Sequence, residues 1–228
     1  DLERYGLAES DPARVPLLHM PFEAGTRVAF PTRASLTAIE DPFYRGFDMR
    51  FPDAWREAEY ERELAGYVAS GDLPALSLVR LPRDHLGAFA DSIDGVDTPD
   101  SQMADHDWAV GRLVDALSRT RFWESTVVFV VEDDAQNGPD HVDAHRSVLL
   151  VVSPWTRHGA VDSTLYTTSG VLRTMELVLG LPPMSQYDAA AAPLALGAGL
   201  GLGEVVDAEH HVLGGDGNGL AGSRRQDV

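Results

Sequence analysis

Thr126–Val131 reads TVVFVV, and Ser147–Val152 reads SVLLVV. Each run is too short for a helix and too uniformly apolar for a strand with one wet face. Both therefore suit strands covered on two sides, which demands a layered fold with helices to do the covering. Helical patterns flank them. Asp53–Ser70 is rich in Glu, Arg and Ala and stops at Gly71, where a left-handed C-cap belongs. From Asp100 to Thr120, the residues Met103, Val110, Val114 and Leu117 share a helical face, with Leu113 beside them. Thr167–Leu179 returns to that spacing through Val171, Met175, Val178 and Leu179, before Gly180. One more short run, Ala75–Leu81 (ALSLVRL), predicts a buried strand ended by Pro82. The alternation argues for an α/β sheet flanked by helices, with the 75–81 and 126–131 strands as parallel neighbours.

The remaining chain is less regular. Prolines at 12, 16, 21, 31, 42 and 52 predict loops wrapped on a surface over the first fifty residues. After Ala189 the composition collapses to Ala, Gly and Leu, so residues 198–228 are expected to be a weakly ordered tail to a domain spanning 1–197. There is no cysteine, which excludes disulfides, thiolate metal sites and a cysteine nucleophile. No apolar run approaches the roughly 20 residues that span a bilayer, and Asp1-Leu2-Glu3-Arg4 does not resemble the start of a signal peptide. All 18 basic residues are arginine, set against 36 acids, and the net charge of −18 disfavours nucleic-acid partners.

The location of the acids is informative. Ligands of α/β sheets bind beyond the carboxyl ends of strands. The 75–81 run leads into Arg83-Asp84-His85, and the 126–131 run into Glu132-Asp133-Asp134. The following loop ends in His141-Val142-Asp143-Ala144-His145. Residues 132–143 hold five acids and no arginine. An Asp-His pair alone is ordinarily a helix cap beside a surface imidazole, and an acidic loop alone is ordinarily solvated. Together, at the mouth of apolar strands, unpaired acids repel one another unless a cation joins them. Mixed carboxylate and imidazole donors favour zinc, manganese or iron over calcium or magnesium. Simpler motifs fail. A calcium loop starting at Asp133 meets alanine at 135 and 144, a zinc-peptidase helix needs glutamate where Val142 stands, and a sulfatase site needs a modified cysteine.

VVEDDAQNGPDHVDAHRS, from Val130 to Ser147, resembles the C-terminal signature of the bacterial phosphoesterase family, which includes acid phosphatases and phospholipases C. LPRDH at 81–85 is similar to its LPNDH segment, and residues 105–130, 153–159 and 172–193 continue the likeness in order. ERYG at 3–6 is a further, shorter likeness. The resemblance implies an alkaline phosphatase-like core, a predominantly parallel sheet flanked by helices. It implies hydrolysis of phosphate esters, on a small molecule or a phospholipid, with one or two divalent ions, zinc, manganese or iron. The metal ligands it implies are Asp84, His85, Asp133, Asp134 and a late histidine, His141 or His145. His141 is favoured as the direct ligand, with His145 and Arg146 assigned to positions behind the ligands or on the substrate phosphate. Two ions about 4 Å apart would clamp the phosphoryl oxygens and activate the nucleophile.

There are two departures from the family pattern. His106 stands between Asp105 and Asp107 where the family usually has asparagine, and is expected behind the ligands or at the surface. No strand followed by a nucleophile turn precedes Asp84, and the hydroxyls of Thr26, Thr32, Ser35 and Thr37 have no recognisable context. The chain is therefore expected to be the C-terminal part of a longer enzyme with an incomplete core, binding metal weakly and turning over little by itself. A catalytically silent metal-binding or structural piece of such an enzyme is the alternative. The family is compatible with a location outside the cytoplasm, and the sequence itself assigns none.

Overall fold

Two helices, α1 (Asp53–Ser70) and α2 (Pro99–Ser118), organise the first half of the chain. The computed structural model describes residues 25–133, 146–159 and 161–195, in two compact units divided between Trp123 and Glu124. α2 starts with a reciprocal cap: Ser101 N donates to Thr98 Oγ1 at 3.1 Å, and Thr98 N donates to Ser101 Oγ at 2.9 Å. Pro99 fills the first position, where a missing N–H costs nothing. α1 follows Pro52 and has no side-chain cap of its own. Asp105 of α2 supplies one, accepting from Asp53 N at 2.6 Å and Ala54 N at 3.1 Å. That carboxylate satisfies two orphan donors and faces the positive end of the helix dipole. The helices pack against each other, with Tyr60 and Leu64 of one and Ala109, Leu113 and Leu117 of the other buried. α1 ends as predicted at Gly71, whose φ of 82° suits glycine and whose N–H returns to Tyr67 O at 2.8 Å.

Before α1 the described chain is irregular, apart from a 3₁₀ turn at Ala34–Leu36. Arg56 orders its last stretch. Fully buried, it donates to the carbonyls of Arg45 (3.0 Å), Gly46 (2.7 Å), Asp48 (2.9 Å) and Phe51 (2.8 Å), and pairs with Asp53 Oδ1 at 3.0 Å. A buried backbone without a helix or ladder must find other partners for its carbonyls, and one guanidinium fork serves five of them here, the fifth being Pro52 O at 3.4 Å.

The Ala75–Leu81 run is not a strand. It joins no ladder among the described residues, and Leu78 is 86% exposed. Its composition suits a pleated surface, but a ladder needs a neighbouring backbone, and the regular elements of this unit are helices and 3₁₀ turns.

In the second unit β1 (Val128–Val131) and β2 (Leu149–Val152) pair antiparallel, from Val128 opposite Val152 to Val131 opposite Leu149. The sheet of the described residues is thus a two-stranded antiparallel pair, not the predominantly parallel sheet expected. A return loop is enough for antiparallel neighbours, whereas a parallel pair needs a crossover element. Glu132 extends the ladder, donating from N to Val148 O at 3.1 Å and accepting from Val148 N through Oε2 at 3.0 Å. α3 (Thr168–Leu179) is capped by Thr167 and closed by Gly180 at a φ of 67°. Its Val171 and Leu177, with Leu194, pack against Val127, Phe129, Leu149 and Val151. Leu150 points the other way and is 48% exposed, while Val128, Val130 and Val152 on that same face are half-buried. A short α4 (Gln186–Ala190), capped by Ser185, follows. Helices with a small sheet make this an α/β chain.

Candidate functional site

LPRDH forms a tight turn, with Arg83–His85 as one 3₁₀ turn after Pro82. Arg83 is fully buried and is the anchor of the motif. Its guanidinium donates to Met49 O, Val96 O and Ser92 Oγ, the last at 3.2 and 3.3 Å from its two terminal nitrogens. Its Nε lies 3.9 Å from Asp105 Oδ2, held by charge rather than by a hydrogen bond. Its backbone N–H donates to Asp53 Oδ2 at 3.1 Å. Asp84 and His85 therefore emerge from a fixed point. Asp84 is half-buried and His85 exposed, with the His85 ring edge-on to Phe47 at 5.2 Å between centroids.

The same Asp53 oxygen meets His106 Nδ1 at 2.9 Å. The imidazole and the Arg83 amide thus converge on one atom, and Asp84 is the next residue along. Burial works against a charged His106 ring, but the bond to Asp53 and the negative charge of Asp84 outweigh it, so its pKa is raised. Burial raises the pKa of Asp105, against the lowering effect of the two amides it caps. His106 is consequently neither a bare surface residue nor a remote one: it is tied to the carboxylate that also holds the Asp84 turn.

On the far side of the turn Gln102, fully buried, pairs with both backbone polar groups of one residue, Gly87. Gly87 N donates to Gln102 Oε1 at 2.9 Å, and Gln102 Nε2 donates to Gly87 O at 2.7 Å.

The other candidates belong to the second unit. Asp133 is exposed just beyond β1, and Arg146 is exposed before β2. Asp134, His141 and His145 lie outside the described residues. Among the described residues no three His, Asp or Glu side chains are gathered as a metal-ligand set. Asp84 and His85 fit part of one: a carboxylate and an imidazole, adjacent, accessible, on a rigid turn whose buried arginine is already engaged elsewhere. Asp53, Gln102 and Asp105 were not singled out from sequence. Gln102 and Asp105 leave a linear trace only in the stretch QMADHD at 102–107, inside an amphipathic helix, and Asp53 only in its place at the start of the 53–70 helical pattern.

A model of the Phosphoesterase family matches residues 45–182. The chain belongs to that family. The match opens at Arg45, whose carbonyl Arg56 holds, and runs through the LPRDH turn, α2, both strands and α3. No curated protein and no solved structure matches the chain significantly. Family membership points to a hydrolase acting on phosphoric esters.

Proposed function

We propose that this chain contributes the metal-binding part of a phosphoesterase site, with Asp84, His85, Asp133, Asp134 and His141 as ligands of one or two divalent ions. The observation that carries the reading is the family match over residues 45–182 together with an adjacent carboxylate and imidazole on a turn pinned by a buried arginine. A bound ion would polarise the phosphoryl oxygens of an ester and lower the pKa of a coordinated water. The residues of the chain would orient that ion, with His145 and Arg146 available to the substrate phosphate. Zinc, manganese and iron suit the donors. The substrate class is a phosphate ester of a small molecule or a lipid. Among the described residues no helix is long and apolar enough to cross a membrane.

Calorimetric titration of the purified chain with Mn²⁺ and Zn²⁺ tests the metal reading. Binding should weaken at least tenfold in Asp84→Asn and in Asp133→Asn, and absence of binding in the unsubstituted chain overturns it. Hydrolysis of p-nitrophenyl phosphate and bis(p-nitrophenyl) phosphate, with the metal added and then chelated, tests the chemistry. One observation favours a silent second reading: among the described residues none of Thr26, Thr32, Ser35 and Thr37 is hydrogen-bonded to a histidine or carboxylate, and all but Thr26 are exposed. On that reading metal binds and neither ester turns over.

A further inference from the structure

The residues that follow His85 adopt an unusual backbone. Leu86 has φ 56° with ψ 130°, and Ala88 has φ 50° with ψ 37°. Two residues with a Cβ stand in the left-handed region on either side of Gly87. Such conformations are costly and persist only where surrounding contacts over-determine them. The contact that does so is Gln102, which pairs with both the N–H and the C=O of Gly87, at 2.9 and 2.7 Å. It reaches Val96 O as well, at 3.4 Å, the same carbonyl that receives Arg83. Asp84 and His85 are thus held between two buried polar anchors. Arg83 grips the chain before them and Gln102 grips it after them, and the two meet at Val96.

We infer that Gln102 is a positioning residue of the site: by clamping the strained Leu86–Ala88 segment it holds the Asp84 and His85 side chains in place for a divalent cation. The inference rests on the proposed metal reading of Asp84 and His85. A glutamine suits the task because its carboxamide offers a donor and an acceptor side by side, matching the N–H and C=O of one residue as an antiparallel ladder neighbour would. The strain is functional in this account. A relaxed turn would be more stable and would present the two ligands less well.

That trade-off separates positioning from plain structural support. Leu86→Gly removes the left-handed penalty, so it should melt no lower than the unsubstituted chain. It should nevertheless bind Mn²⁺ about tenfold more weakly. Gln102→Ala should bind Mn²⁺ more weakly too, with faster amide hydrogen exchange at residues 83–88 while the centre of α2 stays protected. Mn²⁺ affinity unchanged in both variants overturns the inference and leaves the metal reading standing. Loss of affinity in Leu86→Gly only in proportion to a lowered melting temperature also overturns it, because support alone then explains the effect. Failure of the unsubstituted chain to bind Mn²⁺ overturns the metal reading and this inference with it.

Discussion

Glu57 shows how a single buried group makes the first unit sensitive to pH. It is 2% exposed on α1, with Arg112 Nε 4.0 Å from its Oε1. Burial, then the hydrogen bond and charge of Glu61, push its pKa up to about 7, against Arg112. An acid whose folded pKa lies above its unfolded value near 4.5 binds protons more tightly when folded. Its contribution is complete below about pH 4.5 and disappears as pH rises through 7. Glu57→Gln should therefore stabilise the chain at pH 8 by about 1 kcal/mol, less than the full linkage because Glu61 and Arg112 are 35% and 42% exposed to screening water. The difference should vanish near pH 4.5. Urea denaturation of both chains between pH 4.5 and 8 measures it, and a gap that widens toward acid contradicts the assignment.

At the scale of elements, one carboxylate joins three. Asp105 belongs to α2, caps α1 and faces the buried Arg83 of the LPRDH turn. Asp105→Ala removes the cap and leaves a buried guanidinium without its nearest counter-charge, at a cost of about 3 kcal/mol. Asp105→Asn removes the charge as well but keeps an acceptor oxygen for one of the two amides, and should cost about 2 kcal/mol. Equal losses for the two substitutions, read from urea midpoints at pH 7, would assign the whole effect to charge and none to the cap. The element that departs from its local pattern belongs to the same region. Ala75–Leu81 has the composition of a strand but no ladder partner among the described residues, while the polar turn after it is fixed in place by side chains.

Across the whole molecule the two units are separately organised. In the second, Gly170 of α3 allows the Ala192 backbone to approach: a Cβ at Gly170 would lie 2.4 Å from Ala192 O, a contact neither backbone can relieve cheaply. The same junction carries Thr174 Oγ1, which donates to Gly170 O at 2.7 Å and accepts from Leu194 N at 2.8 Å. Gly170→Ala should destabilise this unit by about 2 kcal/mol despite the better helix propensity of alanine. Hydrogen exchange should show protection lost across α3 and β2 and retained in α1 and α2. Uniform loss through both units would mean that they unfold as one.

What the sequence determined by itself was mostly local. The C-caps at Gly71 and Gly180 are written in a few adjacent residues, because helix hydrogen bonds close within four positions. The C-terminal ends of α1 and α3 follow from them. The acid- and histidine-bearing motifs were legible for a related reason: their residue types and spacing are a linear signature, and the family match covers them. Pairing in the sheet was not legible. The runs at 75–81, 126–131 and 147–152 look alike in sequence, yet two of them pair antiparallel and the first pairs with nothing among the described residues. The partner of a strand is supplied by distant backbone, so only the tertiary structure selects it. The same holds for the polar supports of Asp84 and His85. Asp53, Gln102 and Asp105 are ordinary helix residues in sequence, and they become anchors because α1 and α2 pack where the turn needs donors and acceptors.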